Sequence, residues 1–127
     1  SLPFNSAIYG VDYYNANQDY LKKFKAPRLL HSDLAKDNLM AKHGKFSGII
    51  DAADALSGDP MYDIGVIFHS FADKRAIDIL EKSYGKLNRK IIKYYAITSP
   101  IWLVATMEDK IANEVKRRIK RVMKAKI

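Results

Sequence analysis

The residues "HSDLAKDN", 31 to 38, place a histidine, an aspartate and an asparagine in one short polar run between the apolar pieces "RLL" and "LMA". A second acidic group, Asp51, ends the apolar run "KFSGII" a little further on. An amide oxygen from Asn38 and a carboxylate from Asp51 would make a hard-oxygen site. Such a site suits Mg²⁺, which takes few protein ligands and keeps several waters. A separate carboxylate, Asp33, would then be free to accept the proton of an incoming hydroxyl. Positioning, charge neutralisation by a metal and an orienting base are the parts phosphoryl transfer requires.

These groups need elements that bring them together. "LMAK" and "KFSGII" flank His43-Gly44, which predicts a hairpin with a two-residue turn. In that register Lys42 pairs Lys45, Asn38 lies opposite Ile49, and Asp51 sits two residues past the pair, ~7 Å along the strand. "RLL" predicts a short buried strand. Upstream, "VDYYNANQDYLKKF" (11–24) has a helical stripe at Val11, Tyr14, Leu21 and Phe24, with Pro27 stopping the helix by Ala26. Downstream, "SGDP" (57–60) predicts a loop that opens a helix, with Asp59 as N-cap and Pro60 in the first helical position. That helix carries Ile64, Ile67, Phe68 and Phe71. A further helix spans 73–84 and stops at Gly85. Two apolar helical stretches follow, interrupted at Ser99-Pro100. A last helix places Ile111, Val115, Ile119 and Val122 on one face. The order is helix, small β-rich centre, then helices only.

The bulk properties agree with one α+β, mainly helical domain over residues 1–127. With no cysteine, disulfides and thiolate metal sites are excluded, and a reducing cytoplasm is the expected setting. No apolar run reaches the ~20 residues of a membrane helix. The net charge of +8 is concentrated in residues 110–127, which carry +7, while the body is nearly neutral. On an amphipathic helix those cations read as a solvated face, and no nucleic-acid motif accompanies them.

The spacing His31-x-Asp33-x-x-x-x-Asn38 is that of a kinase catalytic loop. The longer run "LLHSDLAKDNLMAKHGKFSGIIDAADALSGDPMYDIG" resembles the aminoglycoside phosphotransferase and choline kinase-like family, which shows H-G-D-x-x-x-x-N, then I-D, then G-D-P-x-x-D. Asp51 in "IIDAAD" rather than D-F-G sets the run apart from protein kinases. The resemblance covers 28 to 65 and implies the large, C-terminal lobe of a protein-kinase-like fold. It implies Asp33 as catalytic base, Asn38 and Asp51 as metal ligands, and His31 and Asp63 as supports of the loop. It also implies Mg²⁺ and ATP or GTP as cofactors, with a small-molecule hydroxyl as acceptor. Lys36 reads either as a phosphate contact or as an exposed lysine.

Three positions depart from the family pattern. Ser32 stands where glycine is usual, Ala35 where histidine is common, and Ala52 where tryptophan is common. None of these removes a reacting group; the last two thin the wall of the site. The family's small N-terminal lobe, with its phosphate-covering loop and nucleotide-pairing lysine, has no counterpart in these 127 residues. The expectation is therefore a catalytic lobe with that partner lobe absent, inactive alone and prone to pair with a second copy. The rival expectation is a non-catalytic remnant that binds a protein or nucleic acid through its basic last helix. Isolated side chains have plainer readings: Asp54 as a loop acid, His43 and His69 as turn and helix residues, Trp102 and the tyrosine pairs as packing.

Overall fold

A computed structural model describes residues 2–24 and 26–127. Its helices are α1 (Leu2–Ala16), α2 (Gln18–Lys23), α3 (Met61–Phe71), α4 (Lys74–Tyr84), α5 (Arg89–Thr98), α6 (Ile101–Thr106) and α7 (Asp109–Lys124). The strands β1 (Arg28–Leu30), β2 (Leu39–Lys42), β3 (Lys45–Ile49) and β4 (Leu56–Gly58) lie between α2 and α3.

The strands form two nested antiparallel pairs. β2 and β3 make the inner hairpin, and β1 pairs with β4 outside it, Leu30 opposite Leu56. Nesting has a consequence for chemistry. The segment from β1 to β2 and the segment from β3 to β4 must both pass the junction between the pairs, so residues 31–38 and 50–55 are brought side by side.

Lys42 pairs Lys45 across the turn as expected, with His43 and Gly44 both at positive φ. The register further down differs from the sequence expectation. Ala41 lies opposite Phe46 but Met40 opposite Gly48, so Ser47 is an extra residue bulged out of β3. Leu39 therefore faces Ile49, and the Ile50 amide donates to the Asn38 carbonyl at 3.0 Å. Asn38 pairs with Ile50 rather than Ile49. Asp51 is one residue beyond that pair, ~3.4 Å along the strand instead of ~7 Å.

The helices supply the core, built from Ile64, Phe68, Ile77, Ile91, Ile92, Ile97, Val115, Ile119 and Val122 with their neighbours. α3 is entered as expected: Asp59 Oδ1 accepts the Met61 amide at 2.9 Å, and Pro60 is already in helical conformation. Ile64 and Phe68 are buried, whereas Phe71 is exposed. α4 is capped by Asp73, which accepts the Arg75 amide, and ends at Gly85. α7 buries Ala112, Val115, Ile119 and Val122; Ala112 replaces the expected Ile111 on that stripe, because the smaller residue faces inward. The basic residues of α7 thus lie on a helix whose other face is part of the core.

The N-terminal helix is two helices rather than the expected one over 11–24. Asn17 donates its side-chain amide to the Tyr13 carbonyl at 2.8 Å and takes φ −122°, ψ 17°, which ends α1 before α2 begins. Local side-chain to backbone bonding of this kind competes with the helical ladder.

α3 and α5 approach most closely at Gly65. A Cβ there would meet Tyr95 Cβ at 2.6 Å, Ala96 N at 3.0 Å and the Ile92 carbonyl at 3.1 Å. Backbone on the opposing side cannot give way cheaply. Gly65→Ala gains helix propensity worth ~1 kcal/mol but forces the helices apart, and overpacking costs about 1–3 kcal/mol or more. The expected outcome is a net loss of about 2 kcal/mol, read as a lower urea midpoint at unchanged slope. An equal or higher midpoint would mean the two helices do not pack this tightly.

Candidate active site

The loop between β1 and β2 is held from below by α3. Asp63 Oδ2 accepts the His31 amide at 2.7 Å and its Oδ1 accepts the Ser32 amide at 2.9 Å. Ser32 sits at φ 64°, in the left-handed region that favours glycine, so the family's usual glycine and the backbone here make the same demand. Further along, Ser70 Oγ accepts the Lys36 amide at 2.8 Å. The loop is thereby pinned at both ends of α3, and a single 3₁₀ turn, Lys36–Asn38, carries it into β2.

Cross-bonds join it to the segment after β3. The His31 ring nitrogen Nε2 lies 2.7 Å from the Ile50 carbonyl. A carbonyl only accepts, so Nε2 carries a proton and donates it; Nδ1 is buried without a hydrogen-bond partner among the described residues. The Ser32 hydroxyl donates to the Asp54 carbonyl at 2.5 Å.

Asn38 and Asp33 form one unit. Asn38 Nδ2 donates to the Asp33 carbonyl at 2.8 Å and to Asp33 Oδ2 at 3.0 Å. Both partners are acceptors only, which fixes the amide orientation and leaves Asn38 Oδ1 without a hydrogen-bond partner among the described residues. Asp51, one residue beyond the Asn38–Ile50 pair, is exposed and takes φ 61°. Aspartate tolerates that conformation better than most residues, and nothing else in the local pairing requires it.

The donor set fits a hard divalent cation: one amide oxygen, one carboxylate, and open sides for water. Among the described residues no three His, Cys, Asp or Glu side chains cluster as a metal cage, so an ion here would keep most of its hydration.

A cleft of about 970 Å³ opens beside the loop. Ser32, Asp33, Ala35 and Asp37 form one wall, Tyr62, Val66, His69 and Ser70 of α3 the floor, and residues of α6 and α7 the other wall. Burial pushes the Tyr62 hydroxyl up, and the carboxylates of Asp63 and Asp33 add to the shift, which marks the end of α3 beside the β1–β2 loop. His69 is buried; its Nδ1 donates to the Ala96 carbonyl at 3.0 Å. Burial, with Arg118 next in weight, lowers its pKa to about 4, so the ring is neutral at pH 7.

The sequence singled out Asp33, Asn38, Asp51, His31 and Asp63, and these five residues meet at this junction. Lys36 uses its backbone amide here, and its side chain is exposed. The far wall was missed. Trp102, read as a packing residue, is 61% exposed and lines the cleft with Leu103. Its place next to the Pro100 break between α5 and α6, where a short helix has little surface to bury it in, was the available signal.

Residues 14–94 match the model of the phosphotransferase enzyme family. Over 73 residues the chain is 32% identical to the homoserine kinase of Neisseria meningitidis serogroup B (strain ATCC BAA-335 / MC58), covering 55% of this chain and 24% of that protein. Its fold is similar to that of a thermostable mutant of aminoglycoside phosphotransferase APH(4)-Ia in the apo form, with a TM-score of 0.69, 16% identity, and coverage of 93% of this chain and 43% of that one. The chain belongs to the phosphotransferase enzyme family. The expected fold, the mainly helical large lobe of a protein-kinase-like phosphotransferase, is the observed one. The chain spans about a quarter of the length of the homoserine kinase and under half of the solved structure.

Proposed function

We propose that residues 1–127 form the catalytic large lobe of a phosphotransferase that moves the γ-phosphoryl group of ATP or GTP to a hydroxyl of a small molecule. The observation that carries this reading is the Asp33–Asn38 unit, with Asn38 Oδ1 turned free and Asp51 one residue beyond its strand partner. Asn38 Oδ1 and the Asp51 carboxylate would hold Mg²⁺, which would neutralise charge on the nucleotide phosphates. Asp33 is oriented by the Asn38 amide through Oδ2, and its Oδ1 is open to accept the acceptor hydroxyl's proton. His31 and Asp63 hold the loop backbone in the shape this needs. Lys36, exposed beside the loop, is available to a phosphate oxygen.

A second lobe is part of the reading. Leu29, Phe46, Ile49 and Leu56 on the two strand pairs, and Ile50 just past β3, are half to mostly exposed. Large apolar side chains left open on both pairs fit a surface that another element covers.

Binding of Mn²⁺, a paramagnetic substitute for Mg²⁺, tests the metal part on this chain directly. The amide resonances of residues 33, 38 and 51 should broaden first. Asp51→Ala should raise the Mn²⁺ concentration required by about tenfold or more. Broadening centred on Asp73, Asp78 or Glu81 instead would sink the assignment.

A further inference from the structure

We infer that the cleft between the catalytic loop and α7 takes an acceptor that carries an anionic group at the end far from its reacting hydroxyl, bound by Arg118. The inference rests on the phosphotransferase reading for which end carries the hydroxyl, and on the cleft's own polarity for the rest.

α3 serves as a ruler along the floor. Tyr62, Val66 and His69 share one face, and Tyr62 is the residue that responds to Asp33. His69 lies seven residues further, ~10 Å along the axis at ~1.5 Å per residue, where Arg118 and Glu114 act on it. Between the ends the lining is apolar, from Val66, Leu103, Ile111 and Val115.

On its α7 side the far end has a surplus of positive charge. Glu114 is shared by two guanidinium groups: Oε2 accepts from Arg117 and Oε1 accepts from Arg118 Nε at 3.0 Å. One carboxylate cannot neutralise both. Arg118 has only a quarter of its side chain exposed, and neither of its Nη groups has a protein partner among the described residues. These Nη groups are open to solvent, and a planar anion would engage both at once in the two-pronged geometry that guanidinium favours. His69 does not compensate, because its Nδ1–H is spent on Ala96 and the ring is neutral. Of the cleft's other acids, Asp33 and Asp54 come from the opposite loops and Glu108 precedes α7. Asp37 follows Lys36, whose amide Ser70 holds beside His69, and so lies across the cleft at this end. Lys110 adds a further cation on the α7 side.

The cleft is lined by residues of this chain alone, so acceptor binding is measurable without nucleotide or metal. Three six-carbon probes differ only at one end: 6-hydroxyhexanoate, 1,6-hexanediol and 6-amino-1-hexanol. In NMR titrations the hydroxy acid should perturb cleft residues at a concentration about tenfold or more below the diol, with the amino alcohol weakest. Arg118→Gln should reduce the hydroxy acid to the level of the diol and leave the diol unchanged. Arg118→Lys, which keeps the charge without the fork, should fall between. Arg121→Gln, the same charge change outside the cleft, should alter affinity less than twofold. Tighter binding of the amino alcohol, equal binding of all three, no perturbation by any, or indifference to both Arg118 variants would overturn the inference. A failure of the metal or transfer chemistry would leave these affinities untouched, so the two readings fail separately.

Discussion

Asp63→Ala is expected to lower stability by about 3 kcal/mol and to release the loop that carries Asp33. Each carboxylate oxygen of Asp63 accepts one backbone amide, from His31 and from Ser32. Hydrogen bonds to a charged partner are worth about 1.5–3 kcal/mol each, and a donor left unpaired out of water costs its desolvation as well. Both amides are partly buried, so the lower end of that range applies to each. The strain at Ser32 favours release of the loop once the anchors are gone. A serine at φ 64° costs ~1 kcal/mol or more, and the two anchors are what hold it there. Asp63→Asn separates charge from shape. An asparagine offers one acceptor oxygen, but its NH₂ would confront one of the two backbone amides donor to donor, so the loss should approach that of alanine. Urea unfolding followed by circular dichroism measures the cost, and hydrogen exchange at the His31 and Ser32 amides locates it. A midpoint for Asp63→Asn equal to that of the parent, with both amides still protected, would show that the carboxylate is not the anchor.

How much of this was legible beforehand depends on the range of the forces involved. α3, α4, α5 and α7 could be read because their signals are local: Asp59 and Asp73 as caps, Gly85 as a stop, Pro100 as a break, and apolar positions three and four apart. The split of α1 from α2 was also local, but it turns on Asn17 choosing the Tyr13 carbonyl over continued helix, a small difference between two good options. β4 was hidden because "LSG" has no strand signal of its own. It becomes a strand only through pairing with β1 across the intervening hairpin. The Ser47 bulge is of the same kind. Counting back from the His43-Gly44 turn gives the register up to Ala41 opposite Phe46 and then loses one residue, which moves Asp51 nearer Asn38 than counting allows. The site residues were legible as a spacing, His31, Asp33, Asn38, Asp51 and Asp63. The cleft they face was not, because its opposite wall comes from α6 and α7, which lie far along the chain and join it only when the core closes.

On the phosphotransferase reading, this chain by itself should show no measurable transfer from ATP to an acceptor, and only weak nucleotide binding. The lobe holds Asp33 against the Asn38 amide, with Asp51 one residue beyond the strand partner of Asn38. Among the described residues it has no glycine-rich loop, and its strand lysines, Lys42 and Lys45, flank the hairpin turn. Little covalent chemistry is asked of the protein in phosphoryl transfer, so positioning supplies most of the acceleration. Effective molarities for well-held reactants are worth roughly 7–11 kcal/mol. Losing about half of that removes about three to four orders of magnitude in rate at ~1.36 kcal/mol per decade. Against a typical kinase turnover of about 1–100 per second, what is left falls beneath a routine coupled assay. The exposed apolar side chains of the strand pairs have a second consequence. Leu29 and Phe46 are 83% and 69% exposed, and Ile49, Ile50 and Leu56 about half; burying such area against a second copy is favourable at ~25 cal/mol per Å². Sedimentation velocity should show a dimer growing with concentration, and Phe46→Lys with Leu29→Lys should return the monomer. Calorimetry with ATP and Mg²⁺ beside a turnover assay gives the decisive comparison. Micromolar binding together with turnover that Asp33→Asn abolishes would mean these 127 residues position a nucleotide unaided, and the two-lobe reading would be lost.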